Sequence, residues 1–296
     1  MGKSSRLKLE RKSQEMEARD IHSAREVAHK LISEAEFPLN YPPCDVSQIL
    51  VLSEAVYEEV IAAGIRNFGK AVTTESLADF SSETNLALDK FQAIAARLFH
   101  ERVKVDPDCK PGCNWCCYVR VTVKVGNAAQ VQRAIQALSD DQREAVLDRV
   151  KNYVAETDKL GPNAILRSTR LCPLNEEGKC LIYADRPLTC RTTHSYNVKT
   201  CRSYVEKGEL SSSKTSLFAR EIARYVVVAM TQVLTHYGID GRSFELNDIV
   251  LGMANDKKVG AALSKKSGTA LDSYYRADVE AAAAAEVANL LAAPKA

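Results

Sequence analysis

Nine cysteines are the residues of this 296-residue chain whose spacing could do chemistry. Eight of them lie between Cys109 and Cys201, where even scatter would place about three. They form two blocks, Cys109-x3-Cys113-x2-Cys116-Cys117 and Cys172-x7-Cys180-x9-Cys190-x10-Cys201, while Cys44 stands apart. Buried thiols are common in cores, but packing gives no reason for such short repeats. Disulfide-dense chains are usually short and secreted. Thiolates close in sequence can converge on one soft metal at little loop-closure cost. We therefore read Cys109, Cys113, Cys116, Cys117, Cys172, Cys180, Cys190 and Cys201 as metal ligands, and Cys44 as none. Cys109, Cys113 and Cys116 can wrap one centre. Neighbouring Cys116 and Cys117 side chains diverge in most backbone conformations, so Cys117 is expected to serve a second centre or to support the first from behind.

The charges agree. Residues 109–201 hold 14 Lys and Arg against 9 Asp and Glu, whereas the chain as a whole is only +2. A four-thiolate zinc or oxidised [4Fe–4S] site carries about −2, which such a window would compensate. Arg186 and Arg191 flank Cys190 and are candidates to neutralise a centre or to form a structural salt bridge. His194 is read as solvent-facing or backbone-bonded rather than as a ligand. Tyr183 is expected in a core, and Trp115 is expected to pack over the site. Cysteine-only ligation suits zinc and an iron–sulfur cluster alike.

The two blocks, with Cys172-Pro-Leu, Cys180-Leu-Ile-Tyr183 and Arg186-Pro187-Leu-Thr-Cys190-Arg191, resemble the YkgJ-type cysteine-cluster family. The resemblance covers roughly residues 105–205 and implies a bacterial, zinc- or iron-chelating domain. The flagellin lysine N-methylase is similar in these blocks. That similarity implies an alternative reading, an iron–sulfur enzyme that binds S-adenosylmethionine and methylates a protein substrate. Cys109-x3-Cys113-x-Trp115-Cys116 is also similar to the radical S-adenosylmethionine signature. The chain beyond it shows helical periodicity and the four Cys of the second block, not repeated strand–helix units, which argues against a radical enzyme.

Other chemistry is weaker. Gly64-Ile-Arg-Asn-Phe-Gly69-Lys70-Ala71 nearly matches a phosphate-binding loop, but Ala71 replaces the magnesium-ligating Ser/Thr and a helix precedes it. Gly64 and Gly69 are read as helix-end residues. No pair reads as general acid and base. With no strongly basic field, nucleic acid is not an expected partner. No apolar run reaches the roughly 18–20 residues of a membrane span, and Met1 to Asp20 lacks a signal-peptide core, so a cytoplasmic protein is expected.

The elements that must position these thiols read as mainly α: a helical scaffold around a loop-rich cysteine and metal hub, with at most one or two short strands. Hydrophobic residues at 46% and charged residues at 26% fit a globular chain. Residues 1–44 read as a charged flexible arm and linker, 45–107 as helical scaffold, 108–206 as the cysteine-cluster domain, 207–280 as C-terminal helices and 281–296 as an alanine-rich tail. Apolar periodicity predicts helices over Ser47–Phe68, with Leu50, Val51, Val56, Val60 and Ile61 as the stripe, over Leu77–Val103, and over Ser216–Tyr237. Val119, Val121, Val123 and Val125 alternate as a strand would. Asn127 is expected to cap one following helix, Asp140 or Asp141 the next, and Gly161-Pro162 to end it.

Overall fold

The computed structural model describes residues 46–103, 107–110, 112–159, 170–192, 195–207, 217–265, 269–277 and 281. The expectations for the N-terminal arm, Cys44, Gly161-Pro162, His194 and most of the alanine tail lie outside these residues. The described fold is mainly α, as expected, and its only sheets are two ladders of two-residue strands.

Helices α1 (Val46–Phe68), α2 (Thr74–Val103), α3 (Val125–Gln136) and α7 (Leu217–His236) build the core. Helix α1 packs on α7 and α2, and α2 also packs on α3. Phe68 and Phe80 are fully buried with ring centroids 5.0 Å apart, and Tyr237 meets Phe68 edge-on at 5.3 Å. Burying one such side chain contributes about 1.5–3 kcal/mol, so these contacts bind the scaffold before any metal is considered. Val56, Val60 and Ile61 face this core, but Val51 is 65% exposed. It precedes Val60 by nine residues, which at about 100° per residue places it on the opposite face.

Local chemistry sets the helix starts. At α2, Thr73 Oγ1 accepts from the Ser76 amide at 3.0 Å and Ser76 Oγ accepts from the Thr73 amide at 2.9 Å, a reciprocal capping box. Helix α4 (Asp140–Thr157) is capped by Ser139, which accepts from the Gln142 amide. Asp140 and Asp141 are therefore not the cap; they occupy the first turn, where the helix dipole favours them. Asn127 is not a cap either. Helix α3 begins two residues earlier, and buried Asn127 donates to Ser81 Oγ at 2.6 Å.

The expected strand shrinks to β1 (Thr122–Val123), because Val125 already opens α3. Its antiparallel partner is β4 (Phe244–Glu245), in register Thr122↔Glu245 and Val123↔Phe244. Strands β2 (Asn175–Glu176) and β3 (Lys179–Cys180) form a hairpin. Its two turn residues, Glu177 and Gly178, both have positive φ (50° and 83°), the conformation a two-residue hairpin requires and glycine adopts without cost. Gly64 lies inside α1 rather than at its end, where a Cβ would stand 2.5 Å from Val233 Cγ1; Gly69 does follow the helix. Short helices α5 (Leu188–Thr192) and α6 (Val198–Lys207) belong to the cysteine region, and α8 (Leu246–Asn255), α9 (Lys257–Ala262) and α10 (Thr269–Asp272) close the described chain. Among the described residues no helix is long and apolar enough to cross a membrane.

Candidate metal centre

The described cysteines sit on loops, turns, short helices and the short strand β3, which the helical core grips from several sides. Along the α2–α3 seam, Gln130 Oε1 accepts from Ser81 and Asn85, and Gln130 Nε2 donates to Asp185 Oδ1 at 3.3 Å. Asn85 also donates to the Arg186 carbonyl. From α4, Arg149 donates to the Pro173 carbonyl at 2.9 Å and pairs with Glu176, which holds the hairpin in place. Thr189 Oγ1 donates to the Thr122 carbonyl, seating α5 on β1. The core therefore holds the Cys172–Cys190 stretch at several separate points.

The first block is tied to the second by the backbone. The Cys172 amide donates to the Cys117 carbonyl at 2.8 Å, and Asn175 Nδ2 lies 3.7 Å from Cys117 Sγ. The Asp108 amide donates to the Ser195 carbonyl, the Ser195 amide donates to Cys109 Sγ at 3.1 Å, and the Val198 amide donates to Asp108 Oδ2. These bonds bring the start of α6, and with it Cys201, to the first block. Cys116 and Cys117 lie on a 3-10 turn, Trp115–Tyr118, against which α6 packs.

Electrostatic neighbours define the grouping further. Cys113, Cys116 and Cys201 act on Cys109; Cys180 and Cys190 act on Cys172; and Cys116 acts on Cys180 and Cys190 as well. Within the turn, Cys117 acts on the Cys116 thiol and raises it. None of the eight described cysteines is in a disulfide.

Their surroundings hold several of them protonated. Burial pushes Cys109, Cys172 and Cys180 up, and pushes Cys190 to about 12 against the opposing pull of Arg186 and Arg191. Cys116 is raised first by its hydrogen bond with Cys117, then by burial. Backbone amides already point at three sulfurs: Ser195 at Cys109, Leu174 at Cys172 and Ile182 at Cys180. Amide donors favour the thiolate a metal needs, so the donor set fits a soft metal. Among the described residues no three Cys, His, Asp or Glu side chains stand close enough to hold an ion, so the thiols share a region without forming a closed coordination shell.

Residues 108–215 match the model of the CxxCxxCC family, described as a "putative zinc- or iron-chelating domain". The match covers about a third of the chain and spans all eight clustered cysteines. It supports a metal-chelating cysteine-cluster domain. No curated protein and no solved structure matches.

Around this cysteine-cluster domain the arginines divide their roles. Arg191 is buried; it donates to the Arg186 carbonyl at 2.9 Å and bonds Asp89 of α2 and the Ala184 carbonyl. It is a structural staple that also bears on Cys190. Arg186 acts on Cys116, Cys180 and Cys190, and its guanidinium stacks 4.4 Å from the Tyr183 ring centroid. Tyr183 is 47% exposed and not in the core, since the arginine stack already covers one of its faces. Trp115 packs near Tyr118 and under Arg202.

One charged group was not legible in the sequence. Buried Arg120, two residues beyond the 3-10 turn, faces Glu245 at 3.9 Å and Asp248 at 3.5 Å. Glu245 caps α8 by accepting from the amides of Asn247 and Asp248, and its charge bears on Cys172. Burial, reinforced by Asp248 and opposed by Arg120, pushes Glu245 up to about 7. Glu is not a favoured N-cap residue, so neither composition nor spacing marks it. Only the β1–β4 ladder brings it beside Arg120.

Proposed function

We propose that this protein binds zinc or an iron–sulfur cluster through Cys109, Cys113, Cys116, Cys117, Cys172, Cys180, Cys190 and Cys201. One observation carries the reading: thiols from both sequence blocks gather about the Trp115–Tyr118 turn, within the segment that matches a chelating domain. Charge compensation from Arg186 and the amide donors to sulfur support it. Cysteines outside disulfides also suit a reducing, cytoplasmic setting. Metal bonds would supply the cohesion that these short loops, poor in apolar side chains, cannot. Anaerobic purification of the full chain, followed by metal analysis and an absorption spectrum, tests the proposal. A broad visible band with iron selects the cluster, and colourless protein with bound zinc selects the other centre. Protein that carries neither metal and takes up neither on reconstitution would falsify the reading.

A further inference from the structure

Three buried charges meet where the chain leaves the cysteine turn, and they do not approach to bonding distance. The side chains of Arg120 and Glu245 are fully buried, and that of Asp248 is 10% exposed. Arg120 Nε stands 3.9 Å from Glu245 Oε1, and Nη2 stands 3.5 Å from Asp248 Oδ2. Both separations exceed the roughly 2.7–3.2 Å of a good hydrogen bond. Among the described residues, Nε and Nη1 of Arg120 find no hydrogen-bond acceptor. A guanidinium that gives up its hydration without regaining bonds is costly. The backbone on both sides is already fixed. Thr122 pairs with Glu245 in the ladder, and the Leu246 amide donates to the Val121 carbonyl at 2.8 Å. Arg276, 28% exposed, lies on the outer side, 2.8 Å from Asp158 and 3.9 Å from Asp248.

The chemistry of the cluster selects what can bond there. An anion would meet two carboxylates, a cation would meet the guanidinium, and an apolar group would leave the guanidinium N–H groups unbonded. A water can accept from Arg120 and donate to a carboxylate. Two groups that each bond one water at about 2.8 Å stand about 4 Å apart for an angle of about 90° at its oxygen, close to the 3.9 Å between Arg120 and Glu245. Glu245 Oε1 accepts from Asn247 Nδ2 at 3.2 Å, and a carboxylate oxygen keeps a second lone pair for the water. We infer that Arg120, Glu245 and Asp248 enclose an internal water that accepts from the guanidinium and donates to a carboxylate, and that this hydrated cluster fastens α8 to the strand leaving the cysteine turn. The inference is independent of the metal reading. A bridging water bonds the charges without drawing the two backbones closer than the ladder sets them.

A crystal structure of the full chain, at a resolution that shows ordered solvent, tests the water directly. A solvent oxygen should lie at hydrogen-bond distance from Arg120 Nε or Nη1 and from a carboxylate oxygen of Glu245 or Asp248. Arg120 bonded directly to both carboxylates, with no solvent between them, would overturn the site. In solution, magnetic relaxation dispersion of the water signal counts long-lived internal waters. The triple variant Arg120→Met, Glu245→Met, Asp248→Leu should lose at least one, and an unchanged count would also overturn the site. Hydrogen exchange at the Leu246 amide reads the fastening. It should speed by about tenfold or more in Arg120→Met, because Glu245 and Asp248 lose their buried counter-charge. Exchange as slow as in wild type would show that the cluster does not hold α8. Should that variant fail to fold, Arg120→Lys, which keeps the charge but lacks the planar fork, gives the same reading at smaller amplitude.

Discussion

At the scale of single residues, a metal entering this site has protons to displace. Burial holds Cys109, Cys172, Cys180 and Cys190 above the ordinary thiol range, and the Cys117 hydrogen bond does the same for Cys116. At neutral pH these are thiols, and only thiolates bind metal. Zinc uptake should therefore release protons, and affinity should rise with pH across the range 6 to 8. Calorimetry in buffers of different ionisation enthalpy reads the proton count; uptake that releases none would show the thiolates to be already formed. The clustering of the cysteines was legible because neither core packing nor a disulfide framework spaces eight thiols so closely in a chain of this length. The nearness of the Cys201 helix to Cys109 was not, because the two lie far apart in sequence and are joined through Ser195 and Asp108. Arg120, Glu245 and Asp248 carried no mark at all: single charges in ordinary sequence acquire meaning only when folding removes their water.

At the scale of elements, helices were legible and strands were not. A helix of twenty or more residues repeats its apolar face many times, so α1, α2 and α7 declare themselves. A two-residue strand offers no period, and the Val119–Val125 alternation was cut short by the start of α3. The contact between α1 and α7 depends on a missing side chain. A Cβ on Gly64 would stand 2.5 Å from Val233 Cγ1 and 2.9 Å from Cγ2, and branched valine has little freedom to turn away. Gly64→Ala should destabilise the fold by about 1–3 kcal/mol through overpacking. Val233→Ala opens a cavity that the new methyl can fill, so the double variant should be more stable than the two single losses predict. Urea unfolding of all three variants measures this coupling; strict additivity would mean that the helices move apart instead.

For the whole molecule, helical core and cysteine hub draw on different sources of cohesion. The core has Phe68, Phe80, Leu88, Met230 and Leu234 fully buried, and its apolar contacts should hold without metal. The hub contributes little apolar burial beyond Leu174, Ile182 and Leu188. Chelation should lower helical content only in part and open the hub to trypsin. Exposed Lys179 and Lys199 should be cut first, whereas the bond after Arg186 resists trypsin because Pro187 follows it. Arg191, bonded to Asp89 and two carbonyls, should be cut last. Circular dichroism and limited proteolysis check this; Lys179 and Lys199 as protected after chelation as before would show that metal does not hold the hub. The β1–β4 ladder adds a constraint of timing. It ties residues 122–123 to residues 244–245, and α7 supplies a wall of the core that α1 and α2 began. On the ribosome, Cys201 is made about 44 residues before Glu245, an interval of roughly 2–9 s at ordinary elongation rates. All eight clustered thiols therefore emerge before the scaffold that holds them is complete, and an ion captured early is not locked in by the fold until synthesis passes Glu245.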